Sequence, residues 1–496
     1  MATPKVLRVL VDLTRLRPGG EGGGIKPALQ EMLRWLGRQR ETDIHFVYVI
    51  DPARAEELAA WLRPIDRLVS KLDAPADLAA RECCDLVYCP FGFTDWACPG
   101  IPTITLIVDL LHFDFPESLS IADRRYREER CRAALEHTDL FQAISDYTAA
   151  QLQKHCGVES GKIIRTYLPI HGRLPPPAPT IRKSNTPPCF FYPANAWAHK
   201  NHETLLIAYA IYHRSAGPDS WRLVLTGHHN EQVTRLQGIA STLGIINQVD
   251  FLGFVEDSRL AELWNCAGAL VFPSLHEGFG IPLLEAMARG VPILASNSTA
   301  IPEITSGAAL LVDGRMPQAL AEGMRQIASD HRLRTALVQR GRQRLSQFSP
   351  RAEFGRLLKA FNTMASRPAR RQRSGYHAID GLIGPLAIFG LLHSRGARVL
   401  NFVTRPLGVA RLLEFWCGPE CIAKFSIAAD VPTAGQVTLP SSARVLSLCI
   451  PDATRLDGND PRTHGILLDS LRMHTVEGAM HNLLASDVTE PGPLNQ

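Results

Sequence analysis

The sequence predicts two doubly wound α/β domains that face each other across a cleft, followed by a smaller, mostly β module. Short apolar runs alternate with helix-length segments twice, before and after a proline-rich stretch at 174–188. The pattern changes after Gly375, where short β-like segments are separated by Pro, Gly and Asp. Strands separated by helices form parallel sheets with helices on both faces. We therefore place the domains at residues 1–172, 189–365 and 376–485.

Length and composition agree with this division. A chain of 496 residues is too long for one hydrophobic core. Hydrophobic residues make up 45% and charged residues 21%, as in ordinary globular proteins. The net charge of +4 is too small to indicate nucleic-acid binding, and the 11 cysteines lack the spacing of a disulfide framework or a zinc site. We expect reduced thiols, no bound metal and no nucleic-acid partner.

The first domain is predicted from five apolar runs and one amphipathic segment. The amphipathic segment predicts a helix over Pro27–Arg40. The predicted strands are Lys5–Leu13, Ile44–Ile50, Asp85–Cys89, Thr103–Val108 and Leu140–Ala143.

The second domain repeats the alternation after the prolines, which exclude a helix or an inner strand. We expect a last amphipathic helix, 351–364, to close this second domain. The predicted strands are Cys189–Pro193, Trp221–Thr226, Val249–Leu252, Ala269–Phe272 and Pro292–Ala295. The other predicted helices are His202–His213, Leu260–Asn265 and Pro282–Arg289.

The basic segment SRPARRQRSG, residues 366–375, is predicted to be a linker, with contact to anionic lipid as the alternative. The first residues lack an apolar signal-peptide core, and no run of about 18 apolar residues occurs. We expect a cytoplasmic protein, either free or peripheral at the inner face of the cell membrane. The strands predicted in the third module are Ala423–Val431, Gln436–Leu439, Arg444–Ile450 and Ile466–Met473.

The most informative segment is FPSLHEGFGIPLLEAMARGVPILASNSTAIPEI, residues 272–304. A predicted strand leads into the glycine loop 276–280, and a helix follows with Pro282 in its first turn, where proline is favoured. The unpaired N–H groups of such a helix start suit a diphosphate. Gly278 and Gly280 would let the backbone approach a ligand closely. This segment therefore predicts an anion-binding site.

Two carboxylates accompany that site. Glu277 lies in the loop, and Glu285 is predicted in the first turn of the helix, so both would face one mouth. Acidic residues also stabilise helix starts, which is the structural alternative for Glu285. We expect the pair to be functional.

The spacing Glu277-x7-Glu285 within PSLHEGFGIPLLEAMARGVP resembles the EX7E signature of family 4 retaining glycosyltransferases. The resemblance extends over about residues 5–365 and implies the GT-B fold, in which two Rossmann-like domains face a cleft. It implies that Glu277 contacts the transferred sugar and that Glu285 binds the ribose hydroxyls of a nucleotide. The backbone that would hold sugar hydroxyls and phosphate is that of Phe279, Gly280 and Ile281.

A second motif is FYPANAWAHKNHETLLIAYA, in which Lys200 precedes Asn201, a predicted helix N-cap. A lysine at a helix N-terminus is electrostatically unfavourable unless an anion binds there. By resemblance, Lys200 binds the donor diphosphate. Many family members carry an arginine five or six residues earlier, where this chain has Ala194 and Asn195. The wording PANxWxHKNH resembles mannosyltransferase-like members, which implies GDP-mannose as donor.

The third motif is RPGGEGGGIKPALQEML, where Gly23 and Gly24 before a helix would bring backbone N–H groups to the phosphates from the first domain. A dinucleotide-binding GxGxxG is the alternative. It fails because the frame that starts at Gly20 places Ile25 at the last glycine.

The segment TLIVDLLHFDFPES places Asp109 just past a predicted strand end at the cleft. It resembles the family's His-Asp segment, with Val108 in place of the histidine. We predict acceptor contacts from Asp109 or His112. Capping of the next segment by Asp109 is the equally weighted alternative.

These motifs together predict a retaining glycosyltransferase. It would move a hexose from a nucleotide sugar to a glycan or lipid-linked acceptor in polysaccharide or lipopolysaccharide biosynthesis. Lys200 and helix-start amides would stabilise the leaving group, so no cofactor or metal is expected. The E-x7-E pair argues against an epimerase or phosphorylase of the same fold. A carbohydrate-binding or scaffold protein that has lost catalysis is the alternative, indicated by Val108 and the missing arginine.

Overall fold

The structure is a computed structural model of the chain. It describes residues 5–17, 25–39, 42–59, 61–169, 188–228, 231–376, 382–391, 398–406, 409–455, 463–464, 466–475 and 479–484. Gly23 and Gly24 lie outside these ranges, so their predicted phosphate contacts remain a prediction. In the part of the chain described, no helix is long and apolar enough to span a membrane.

The first domain contains a seven-stranded parallel sheet of order β3-β2-β1-β4-β5-β6-β7. This order turns back at its first strand, as in Rossmann-like sheets. The strands are β1 Lys5–Asp12, β2 Thr42–Ile50, β3 Arg67–Ser70, β4 Leu86–Cys89, β5 Thr103–Ile107, β6 Leu140–Ala143 and β7 Ile163–Arg165. The helices are α1 Ile25–Leu36, α2 Ala55–Ala59, α3 Leu78–Arg81, α4 Leu111–Asp114, α5 Ile121–His137 and α6 Asp146–Cys156.

The second domain repeats this arrangement with six parallel strands of order β10-β9-β8-β11-β12-β13. The strands are β8 Cys189–Pro193, β9 Arg222–Thr226, β10 Val249–Phe251, β11 Ala267–Phe272, β12 Ile293–Ser296 and β13 Ala309–Val312. The helices are α7 His202–Ala216, α8 Glu231–Thr242, α9 Asp257–Cys266, α10 Ile281–Arg289, α11 Ile301–Thr305, α12 Pro317–Ser329, α13 His331–Leu345 and α14 Pro350–Ala365.

Helix α14 was expected to close the second domain, but it packs against the first. The ring of Phe354 lies 5.7 Å from that of Trp35 on α1, and the ring of Phe361 lies 5.3 Å from that of Tyr88 on β4. The apolar face of α14 is thus buried on the sheet face that α1 also covers. The prediction was wrong on this point because periodicity shows that a face is buried, not which sheet buries it.

The mostly β module predicted after residue 375 is confirmed as an antiparallel sheet of order β18-β17-β20-β15-β23-β16-β19, with β14 and β24 paired outside this path. Its interior holds aromatic side chains from three strands, Phe402, Phe415 and Phe425. The strands are β14 Arg373–Tyr376, β15 Leu382–Gly390, β16 Arg398–Pro406, β17 Arg411–Cys417, β18 Glu420–Ile427, β19 Thr433–Leu439, β20 Val445–Cys449, β21 Thr454–Arg455, β22 Thr463–His464, β23 Ile466–Thr475 and β24 Met480–Asn482.

This module completes the core of the first domain. Helices lie on both faces of the first sheet, as expected. The face opposite α1 carries α5 and α6 over β5 and β6, and it carries the short helix α3 and strands of the module over β1, β2 and β4. Ile388 of β15 and Val445 of β20 share a buried cluster with Leu10 and Val49 of the first sheet. The module and the first domain thus bury apolar surface against each other.

The basic segment 366–375 is docked rather than a free linker. The backbone N–H of Arg370 donates to the Asp139 carboxylate, and the side chain of Arg371 contacts His137 at 2.9 Å. The backbone N–H of Gly100 donates to the carbonyl of Arg371 at 2.9 Å. The segment that was predicted to be a linker is therefore held against the first domain by backbone and side-chain hydrogen bonds.

The docked module makes a glycine position testable. A Cβ on Gly100 would lie 2.5 Å from the Cα of Gly390, whereas a Cβ on Gly157 meets nothing within 4 Å, although φ is positive at both. We expect Gly157→Ala to lower the free energy of unfolding by about 1–2 kcal/mol through backbone strain. Gly100→Ala should lower it by roughly 1–3 kcal/mol more through overlap with Gly390. Equal losses in urea denaturation would contradict the docking of the module.

Candidate active site

A cleft of about 860 Å³ lies between the two parallel sheets. Its first wall comes from α1, the ends of β5 to β7, and α5. Its second wall comes from residues that follow the carboxyl ends of β8, β9, β10 and β11, and from the start of α10. Ligand sites of doubly wound folds form at such strand ends. The predicted cleft is therefore present, and it contains most of the predicted site residues.

The glycine loop and helix α10 form the centre of the second wall. Strand β11 ends at Phe272, and Gly280, with φ of 93°, turns the chain into α10 at Ile281. Pro282 occupies the first turn, as predicted, and no side chain caps this helix start. Phe279, Gly280, Ile281 and Pro282 line the cleft. The helix start therefore presents to the cleft the backbone geometry that binds anions.

Lys200 and Glu277, predicted from separate motifs, meet in this cleft. Lys200 Nζ lies 2.6 Å from Glu277 Oε1, and their side chains are 14% and 10% exposed. Lys200 ends a short 3-10 turn after β8, and the loop after β11 holds Glu277 opposite it. A hydrogen-bonded ion pair of low exposure fixes the position of both groups. The lysine charge is thus balanced by Glu277 when no anion is bound.

Asn201 fixes the Lys200 turn, but not as the predicted N-cap. Its side chain makes no capping bond, and its φ of 63° differs from the extended backbone of capping residues. Instead Asn201 Nδ2 donates to the carbonyl oxygens of Pro273 (3.1 Å) and Gly314 (2.7 Å). These bonds tie the lysine turn to the end of β11.

Glu285 lies on the same helix as the anion-binding turn, one turn further than predicted. Because α10 begins at Ile281, no acidic residue falls in its first turn. Glu285 is 5% exposed and lines the cleft. Stabilisation of helix starts by carboxylates falls off beyond the first turn. The structural alternative for Glu285 is therefore weakened.

Gly278 was predicted to let the backbone approach a ligand, but its close neighbour is the first domain. A Cβ at position 278 would lie 1.8 Å from the carbonyl oxygen of Val108 and 3.3 Å from Cβ of Asp109. The absence of a side chain lets the loop after β11 contact the loop after β5. Gly278 thus brings the two walls together beside Glu277.

Of the two predicted acceptor-side residues, one lines the cleft. Asp109 accepts hydrogen bonds from the backbone of Leu111 (3.1 Å) and from Arg127 Nη1 (3.3 Å). Burial raises the pKa of the Asp109 carboxyl, but Arg127 and the Leu111 N–H hold it below its usual range. His112 is 4% exposed, its ring lies 4.2 Å from that of Phe113 at a tilt of 39°, and it is not among the residues lining the cleft. The structure therefore does not bring His112 to the site.

The histidines near the pair are neutral at pH 7. Burial, with the charge of Lys200, lowers the pKa of His199 to about 3 and that of His202 to about 4. Burial also lowers the pKa of His276. The charge around the pair is therefore set by Lys, Arg, Asp and Glu.

The second-domain side of this cleft is similar in sequence to a known protein family. Residues 179–344, which contain Lys200, Glu277 and Glu285, match the family described as glycosyl transferases group 1. This part of the second domain is therefore similar to that family. The family resemblance expected from the glutamate spacing is thereby confirmed, with a third of the chain matched directly.

Relatives of the chain include two named mannosyltransferases. It is 28% identical to O-antigen chain mannosyltransferase B of Escherichia coli over 50% of its own length and 66% of that protein. It is 32% identical to O-antigen chain mannosyltransferase RfbU of Salmonella typhimurium over 27% of its length and 36% of that protein. In both cases the match spans less than two thirds of the relative.

Solved structures confirm the fold. Anabaena Alr3699/HepE, a structure in complex with UDP and glucose, superposes with a TM-score of 0.57 at 17% identity. The superposition covers 72% of this chain and all of the other. The chain therefore has the predicted GT-B fold, to which the β module is added.

Sequence patterns missed several residues that line this cleft. Most of them lie at or just after the carboxyl ends of β8, β9 and β10. Because ligand sites form at such strand ends, the predicted strands could have identified these residues. Arg127 on α5 carried no such signal, because α5 is polar on nearly all sides. The missed residues on the second wall include Pro193, Asn195, Trp197, Thr226, His228, Phe254, Glu256 and Asp257.

Proposed function

We propose that this glycosyl transferase moves a hexose from a nucleotide sugar to an acceptor hydroxyl with retention at the anomeric carbon. The observation that carries the proposal is the Lys200–Glu277 pair at 2.6 Å, in one cleft with Glu285 and the start of α10. An anion site beside a carboxylate suits a reaction in which a phosphate departs as a sugar gains positive character.

The proposed step is a displacement on one face of the sugar. The bond between the anomeric carbon and the phosphate oxygen breaks, and the acceptor oxygen bonds to that carbon from the same side. The acceptor proton passes to the departing phosphate oxygen. Lys200 and the amides at the start of α10 stabilise negative charge on the phosphate, while Glu277 orients the sugar and stabilises its positive charge. Glu285 binds the ribose hydroxyls.

We propose mannose from GDP-mannose as the transferred group, with a glycan or lipid-linked acceptor in polysaccharide or lipopolysaccharide synthesis. The names of the two O-antigen mannosyltransferases support this choice, as does the PANxWxHKNH wording around Lys200. A lipid-linked acceptor would place the protein at the inner face of the cell membrane. Asp109 would contact the acceptor from the first wall.

Mass spectrometry of the purified chain with a panel of nucleotide sugars tests this proposal. We expect GDP-mannose to be consumed, and GDP to be released faster when a mannoside acceptor is added. Consumption of another nucleotide sugar alone would replace the donor assignment. Binding of glycan without turnover of any donor would support the alternative, a carbohydrate-binding protein that has lost catalysis.

Transfer should survive chelation. In the proposed site Lys200 and backbone amides neutralise the diphosphate without a metal. EDTA should therefore change the initial rate of transfer by no more than about twofold, a change in activation free energy well below 1 kcal/mol. Rates in EDTA, and in EDTA followed by excess magnesium or manganese, check this expectation. A rate that disappears with EDTA and returns with metal would refute the metal-free mechanism.

A further inference from the structure

The second wall of the cleft carries more negative than positive side chains among the described residues. Among its described lining residues, Lys200 is the one lysine or arginine, against the four carboxylates Glu256, Asp257, Glu277 and Glu285. Lys200 is already paired with Glu277 at 2.6 Å. A diphosphate carries at least two negative charges, and like charges in a partly buried site repel strongly. A cation from the first wall would therefore strengthen diphosphate binding beside Lys200 and the helix-start amides.

The first wall supplies the candidates. Its described lining residues include three cations, Lys26, Arg34 and Arg127. Lys26 contacts Glu57 on α2, and Arg34 lies on α1 two turns beyond Lys26. Arg127 differs because its contacts lead directly to the glycine loop. Arg127 is therefore the cation that the described contacts connect to the loop before α10.

Those contacts run through Asp109. Arg127 Nη1 lies 3.3 Å from Asp109 Oδ1, and Asp109 Cβ is 3.3 Å from where a Cβ on Gly278 would stand. Gly278 adjoins Glu277 and lines the cleft with the start of α10. The positive charge of Arg127 also extends to His199, beside Lys200, where it helps to lower the histidine pKa. Arg127 and Lys200 thus approach one region from opposite walls.

We propose that Arg127 binds the diphosphate of the nucleotide sugar from the first domain, together with Lys200, and that Asp109 orients it. This inference rests on the proposed function and adds a residue to it. A guanidinium has five N–H donors in a planar fork, so one can stay on Asp109 while others reach phosphate oxygens. The donor site is then shared by both domains, which makes the leaving group sensitive to their separation.

Calorimetry on the full chain tests the proposal with GDP, UDP, inorganic pyrophosphate and guanosine as probes. Arg127→Gln should weaken binding of GDP and of pyrophosphate at least tenfold and leave guanosine affinity unchanged. Arg124→Gln is the matched control, because Arg124 lies on the same helix, pairs with Glu128 at 2.7 Å and does not line the cleft. Equal nucleotide affinity in these two variants would overturn the proposal.

A second variant separates binding from folding. Loss of Arg127 leaves Asp109 without its cation, so Asp109→Asn/Arg127→Gln restores neutrality. This double variant should melt close to the parent and still bind GDP weakly; normal GDP affinity in it would overturn the proposal. If the parent binds UDP more tightly than GDP, the assignment of GDP fails. The tenfold loss of affinity expected for Arg127→Gln is then measured with UDP. A parent that binds no diphosphate probe overturns both.

Discussion

Replacing Lys200 with alanine should lower the rate of transfer about 100-fold or more, roughly 3 kcal/mol, the size of effect lost with one preorganised donor to a developing charge. Lys200 Nζ lies in the cleft beside the start of α10, held by Glu277 at 2.6 Å and by a turn that Asn201 ties to β11. It is the one lysine or arginine among the described second-wall residues that line the cleft. Single-turnover kinetics with GDP-mannose measures the effect.

Loss of folding must be separated from loss of chemistry in this variant. Removal of Lys200 leaves Glu277, with a side chain 10% exposed, without its cation, and one broken buried pair can cost about 3–5 kcal/mol of stability. Lys200→Ala/Glu277→Gln removes both charges and should recover most of the melting temperature without recovering transfer. Near-parental turnover in a folded Lys200→Ala protein would show that this lysine does not stabilise the leaving group.

Replacing Glu277 with glutamine should have opposite effects on catalysis and on nucleotide binding. Transfer should fall roughly 100-fold, because charge on the sugar loses the carboxylate that stabilises it. Affinity for the nucleoside diphosphate should rise about threefold to tenfold, near 1 kcal/mol, because Lys200 is released from its pair to bind phosphate. Calorimetry with GDP, beside kcat for the same preparation, measures both quantities.

Glu285→Gln is the matched comparison on the same element. Glu285 is also buried and lines the cleft, but it is proposed to accept hydrogen bonds from the ribose diol. Its replacement should therefore weaken GDP binding rather than strengthen it. If both glutamine variants bind GDP as the parent does, Glu285 does not bind the ribose, and release of Lys200 from Glu277 does not strengthen phosphate binding.

The second-domain part of the site could be predicted because its signals are local. Glycines, a helix-start proline and two glutamates at fixed spacing follow a buried strand, and the structure places them where that order implies. Most inner strands were predicted for the same reason, since β4, β5 and β6 are buried at every position. Local order thus established two parallel sheets and the helix start that faces the cleft.

Edge strands, and the surfaces on which helices and the β module pack, could not be predicted in this way. Strands β3, β7 and β13 are only partly buried, so they carry no continuous apolar run. Helix α5 has one buried residue, Ala134, and therefore no periodic apolar face. The docking of α14 and of the β module depends on which surface is left uncovered, and α3 is too short to cover its sheet face.

The same distinction applies within the site. The contact of Gly278 with Val108 joins loops 170 positions apart, so the sequence shows the glycine but not its partner. Arg127 belongs to a polar helix that carries no motif, yet it lines the cleft. The site residues of the first domain could therefore be identified only from the structure.

The central claim, retaining transfer from a nucleotide sugar, is tested most directly by the configuration of the product. The purified chain would be incubated with GDP-α-mannose and a mannoside acceptor, and the new linkage assigned by NMR from its one-bond carbon–hydrogen coupling. The proposed same-face displacement predicts an α-linked product that is absent with Lys200→Ala. A β-linked product, or release of free mannose with no transfer to any acceptor offered, would contradict it.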